Sequence, residues 1–104
     1  MPMSSECSIL VRLIPLEGQL DAVKAAVEKV LDQVRAGEGC LQYDPFEVEG
    51  GEIVLFERWE SREIWQAHFD TEPIQWLQKE LADKVELPVE RIELGESSLP
   101  PGDE

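Results

Sequence analysis

The chain of 104 residues contains one histidine, His68. It follows Ile64 and Trp65 by four and three positions, so in a helix it shares their face and turns toward a sheet. An imidazole with an ordinary pKa of about 6.5 suits a general base taking a phenolic or enolic proton. Glu57 lies mid-strand, with Leu55 and Trp59 as same-face neighbours. A buried carboxylate there needs a partner, and it can orient His68 or pair with an arginine across a dimer. Arg58 and Arg12 project from strand faces and can hold an oxyanion. Trp59, Trp65, Phe56, Phe69 and Trp76 can wall a flat aromatic pocket. Tyr43 can donate a hydrogen bond to a bound oxygen atom. Each residue also fits a plainer role: a core histidine, a structural ion pair, a core or interface ring, a cap on the sheet edge. Cys40 reads as a small buried hydrophobe.

Positioning these groups takes six or seven elements. Residues 8–15 read as a strand, with Ile9, Val11 and Leu13 on one face and Leu10, Arg12 and Ile14 on the other. Residues 19–36 read as a helix, because Leu20, Val23, Val27, Val30, Leu31 and Val34 recur at threes and fours. Gly37 is its expected left-handed terminator. Residues 40–48 form a strand that Pro45 confines to an edge or a bulge. Gly50-Gly51 turns the chain into a strand over residues 53–59. In it, Ile53, Leu55, Glu57 and Trp59 alternate with Val54, Phe56 and Arg58. Ser61 caps a short helix over residues 62–69. Thr71 and Pro73 start another, with Ile74, Leu77, Leu81 and Val85 as its buried stripe. A last strand covers residues 89–94, so residues 1–94 make one domain. Residues 95–104 read as an acidic flexible tail.

The order is β-α-β-β-α-β. Right-handed crossovers turn it into a ferredoxin-like α+β fold with a four-stranded antiparallel sheet and helices on one face. The strands are nevertheless apolar on both faces. A homodimer that brings two open faces together answers that mismatch.

Charge narrows the partners. There are 23 acids against 9 bases, a formal net charge of -14. Phosphate backbones and anionic membrane surfaces repel such a chain, which excludes nucleic-acid and membrane partners. A large anionic substrate is steered away unless a local arginine pocket receives it. The first residues lack the basic and apolar regions of a targeting signal, and two cysteines make no disulfide framework, so the expected compartment is the cytoplasm. One histidine builds no typical catalytic zinc site, and no Gly-rich phosphate loop or nucleophile elbow is present.

Glu38-Gly39-Cys40-Leu41 followed by Tyr43 resembles the turn into the second strand of the antibiotic biosynthesis monooxygenase (ABM) family. Phe56-Glu57-x-Trp59-Glu60-Ser61, then His68, resembles that family's second half. The resemblance runs from Ile9 to Ile92. It implies a dimeric α+β barrel. It also implies members that oxidise quinols or anthrones with molecular oxygen, without metal or flavin. Other members degrade haem, and some isomerise small phosphorylated sugars. Thr71-Glu72-Pro73 stands where several quinol-oxidising members have Thr-Pro-His. The catalytic Trp of haem-degrading members falls at His68, their haem-ligating His falls near Gln78, and their first-strand Asn is absent.

The resulting expectation is a cofactor-independent monooxygenase for a small aromatic quinol-like compound. His68 would be the base, with Glu57 and Arg58 beside it. Trp59, Trp65, Tyr43, Arg12, Phe56 and Phe69 would surround the substrate. The alternative is a non-catalytic dimeric module that binds a small ligand, and an isomerase or a haem-related member is the weaker third. Room beside His68 would favour the enzyme, and a solidly packed ring would favour the module.

Overall fold

The strand Glu52–Trp59 runs through the middle of the molecule, and its alternation organises the rest. Ile53, Leu55, Glu57 and Trp59 are all buried, while Val54, Phe56 and Arg58 are half-buried on the other face. The computed structural model of the chain describes residues 6–95. Its elements are β1 (Cys7–Leu13), α1 (Leu20–Arg35), β2 (Cys40–Val48), β3 (Glu52–Trp59), α2 (Arg62–His68), α3 (Glu72–Leu81) and β4 (Glu90–Leu94). The strands pair antiparallel in the order β2-β3-β1-β4. This is the expected ferredoxin-like α+β arrangement, with the second helical connection split in two. The expected acidic tail falls on residues that, apart from Gly95, lie outside the described ones. No helix among the described residues is long and apolar enough to cross a membrane.

The core lies between the sheet and the helices. From the sheet come Ile9, Val11, Leu13, Tyr43, Ile53, Leu55 and Trp59. From the helices come Val23, Val27, Val30, Val34, Ile74, Leu77 and Leu81. Pro45 does sit in an edge strand, where a missing ladder donor costs nothing. The bulge in β2 lies instead between Cys40 and Gln42. No helix among the described residues covers the opposite sheet face. Leu10, Val54 and Phe56 are half-buried there, and Phe46, Ile92 and Leu94 are exposed.

Two local devices aim α2 at the sheet. Ser61 takes extended geometry, and its Oγ accepts the Ile64 N–H at 3.1 Å. The second device corrects the expectation for the end of α1. Gly37 does not take the left-handed conformation; Gly39 does, with φ of +76°. The chain needs its sharp reversal there, because the Gly39 carbonyl must accept the Glu60 N–H at 2.8 Å. A Cβ on Gly39 would meet Ile64 Cγ2 at 2.6 Å, so α2 packs against bare backbone. Gly18 has a similar φ of +79° but faces open space. Gly39→Ala is therefore expected to cost about 2–3 kcal/mol in urea unfolding, strain plus clash, and Gly18→Ala about 1 kcal/mol, strain alone. Equal losses would show that the Ile64 contact carries no weight.

Candidate active site

Strand register brings the first two groups together. Tyr43 on β2 lies directly opposite Glu57 on β3. Both point to the helix-covered face, and both are buried. The third group arrives from α2, where His68 follows Trp65 by one helical turn and both are buried. The His68 ring packs on Trp59 with centroids 4.4 Å apart, and it lies 6.1 Å from Tyr43 and 5.3 Å from Phe69. Thr71 Oγ1 donates to the His68 carbonyl at 2.6 Å and fixes the end of the helix.

A cavity of about 270 Å³ opens beside these groups. Its walls are mostly aliphatic, with Val11, Leu13, Leu55, Ile74, Leu77 and Leu81 contributing. Tyr43, Glu57, His68, Gln78 and Arg91 supply its polar atoms, and Trp65 and Phe69 supply rings. His68 thus has room beside it. A second, smaller cavity of about 150 Å³ lies against Trp59, Ile64 and Ala67 and also touches His68.

Burial sets the proton affinities. The Trp59 Nε1–H donates to Glu57 Oε1 at 3.0 Å. Burial pushes the Glu57 carboxyl up to about 7, while that hydrogen bond and the Arg91 guanidinium pull the other way. Burial, helped by Arg91, takes His68 down to about 4. Burial and the neighbouring Glu57 raise the Tyr43 phenol far above its ordinary range. At neutral pH the cavity therefore holds a neutral imidazole, a neutral phenol and a carboxyl near half-ionisation. Among the described residues, no group of three His, Cys, Asp or Glu side chains could hold a metal ion.

Of the residues expected at the site, Glu57, His68, Tyr43, Trp65 and Phe69 line the cavity. Trp59 stands behind Glu57 and His68 as a hydrogen-bond donor and a packing surface. Arg12, Phe56 and Arg58 are corrections. Strand alternation puts all three on the open sheet face, away from the cavity. Arg12 is held there by Glu52 at 2.9 Å and Glu90 at 2.8 Å, and Arg58 by Glu6 at 2.9 Å. Trp76 also stands apart, under the Lys29 ammonium at 5.0 Å. Sequence reasoning missed Gln78 and Arg91. The pairing of β4 with β1 fixes the side of Arg91. Ile92 pairs with Leu10 and Leu94 with Ser8 on the open face, so Arg91 must point to the other.

The profile of the family described as antibiotic biosynthesis monooxygenase matches residues 8–80. The chain belongs to this family. The Mycobacterium tuberculosis protein named "Putative monooxygenase Rv0793" is 36% identical over 67 residues. That segment spans 64% of this chain and 66% of the relative, just under two thirds of its length. The solved structure of Rv0793 superposes with a TM-score of 0.82 at 29% identity, covering 96% of this chain and 98% of that one. PA3566 of Pseudomonas aeruginosa superposes with a TM-score of 0.83 at 19% identity, covering 94% and 100%. That second likeness is one of fold alone.

In this ABM-family site, Glu57 and His68 tilt stability in opposite directions. Glu57 holds its proton more tightly when folded. As pH rises from 4.5 to about 7, only the unfolded chain releases that proton, and stability falls. His68 holds its proton less tightly when folded. As pH falls from 6.5 to about 4, only the unfolded chain takes that proton up, and stability again falls. Each effect is on the order of 3 kcal/mol. Relative to the parent, Glu57→Gln should therefore gain stability as pH rises across its window. His68→Gln should gain it as pH falls across its own. Denaturant midpoints measured across pH check both, and parallel curves for parent and variants would contradict the burial of the two groups.

Proposed function

We propose that the chain is a cofactor-independent monooxygenase that oxidises a small aromatic quinol-like compound with molecular oxygen in the helix-covered cavity. Family membership supports an oxidoreductase role. The observation that carries the finer reading is one apolar cavity faced by Glu57, Tyr43 and His68 together. An apolar cavity of about 150 Å³ holds benzene, so about 270 Å³ suits two fused rings. The room beside His68 favours the enzyme over a non-catalytic module.

In this reading the base is Glu57 rather than His68. A group with a pKa of about 7 matches proton transfer at neutral pH, whereas the lowered pKa of His68 makes its imidazole a weak base. Glu57 takes the substrate hydroxyl proton. Neutral His68 and Tyr43 hydrogen-bond the oxygen that becomes negative. The electron-rich anion reduces oxygen, and the two recombine as a carbon-bound hydroperoxide. Loss of water leaves a carbonyl. One oxygen atom enters the product, the other leaves as water, and the substrate supplies all the electrons. The expected outcome is oxygen uptake with a naphthohydroquinone well above the autoxidation blank, with kcat/KM rising through the Glu57 titration. Glu57→Gln should lower kcat by about 10²–10⁴-fold. Parent uptake equal to the blank would remove the quinol assignment.

The same reading includes a homodimer built on the open sheet face. Leu10, Phe56 and Ile92 form one continuous row across β3, β1 and β4, and a second copy of that row is a self-complementary cover for it. Phe56→Glu should shift the protein from dimer to monomer in light-scattering chromatography. A monomeric parent would contradict this assembly.

A further inference from the structure

One cation at the cavity mouth has no ion pair among the described residues. Arg12 pairs with Glu52 and Glu90, Arg35 with Asp44, Arg58 with Glu6 and Arg62 with Glu93. Arg91 makes no such pair among the described residues, in a chain with 23 acids. The acids nearest to it along the chain are already engaged. Glu90 points to the open face with Arg12, and Glu93 accepts two hydrogen bonds from Arg62 at 2.6 and 3.0 Å. The Arg91 guanidinium lies over the Phe69 ring instead, 5.1 Å from its centroid, and lines the cavity. It is solvent-exposed on its outer side. The family match ends at residue 80, so this part of the site lies outside it.

We propose that Arg91 receives a carboxylate carried by the aromatic substrate, so that the site prefers aromatic hydroxy acids to neutral phenols. The inference rests on the cavity being the substrate site. A guanidinium binds a carboxylate through two parallel N–H donors, and Phe69 beneath it limits its swing. The ligand would span the cavity, with its acid at the mouth, its rings on the aliphatic wall and its hydroxyl among Glu57, Tyr43 and His68. The overall negative charge repels anions from the rest of the surface. A single cation at the mouth therefore selects one anionic group at one place.

The test is equilibrium binding under argon, which separates recognition from turnover. The probes are 6-hydroxy-2-naphthoate and its methyl ester, which is neutral and of similar size. The parent should bind the acid about tenfold more tightly than the ester, the ratio one charge-assisted contact supplies. Arg91→Gln should erase that ratio, and Arg91→Lys should keep part of it. A ratio that survives in Arg91→Gln, or a parent that prefers the ester, overturns the role of Arg91 and leaves the cavity reading intact. Binding of both probes that persists after Leu77→Trp fills the cavity, or no binding of either, overturns the cavity reading and this inference with it.

Discussion

The burial of one carboxyl, Glu57, governs this structure. It stands in a strand whose other inward residues are Ile53, Leu55 and Trp59. Strand alternation permits no half measures: shifting the register by one residue would expose all four and bury Val54, Phe56 and Arg58. The apolar residues therefore drag the acid inside. An isolated carboxylate costs too much there, and the fold answers with a hydrogen bond from Trp59, a cavity and a raised proton affinity. Trp59 in turn gives His68 its packing surface. Helix α2 must then end where it does, and bare Gly39 lets it approach.

The sheet also sorts the arginines. Arg12 and Arg58 point to the open face, where a chain rich in acids supplies partners readily. Arg91 points to the helix side, where the buried acid beside the cavity holds its proton through most of the acid range. The cation stands near a carboxyl that is close to half-ionisation at neutral pH, and it makes no ion pair with that carboxyl. It lowers the proton affinities of both Glu57 and His68. The raised acid and a cation with no ion pair among the described residues thus share one cavity.

Much of this was legible in the sequence. Threes and fours marked α1, alternation marked β3, Ser61 marked the start of α2, and Pro45 marked an edge. Inward placement of Glu57 and His68 followed from parity and helical spacing. Strand parity for β1 and β3 was equally readable, and it already separated Arg12 and Arg58 from Glu57. Those two arginines were expected at the site because their charge suited an oxyanion, although their face did not. Arg91 was missed because β4 is short and exposed throughout, so no buried stripe announced its orientation. Only its pairing with β1 fixes its side. Gly37 and Gly39 could not be told apart from sequence, because the deciding contact comes from Ile64, far along the chain.

The same burial moves the two titrating groups of the cavity in opposite directions. Loss of water weakens the charged form of any group. It therefore makes a carboxyl a stronger proton holder and an imidazole a weaker one. Burial beside one shared cavity moves Glu57 up and His68 down, past each other. An imidazole on an apolar helix face suggests a base when read alone, because its ordinary pKa lies near neutrality. Placed against Trp59 and near Arg91, it is a neutral ring at working pH, and the carboxylic acid becomes the group that titrates near neutrality. The inversion follows from the fold, which offers both groups one partly enclosed cavity and one cation. Residue type suggests which groups can move protons, and the shared environment decides which of them titrates near neutrality.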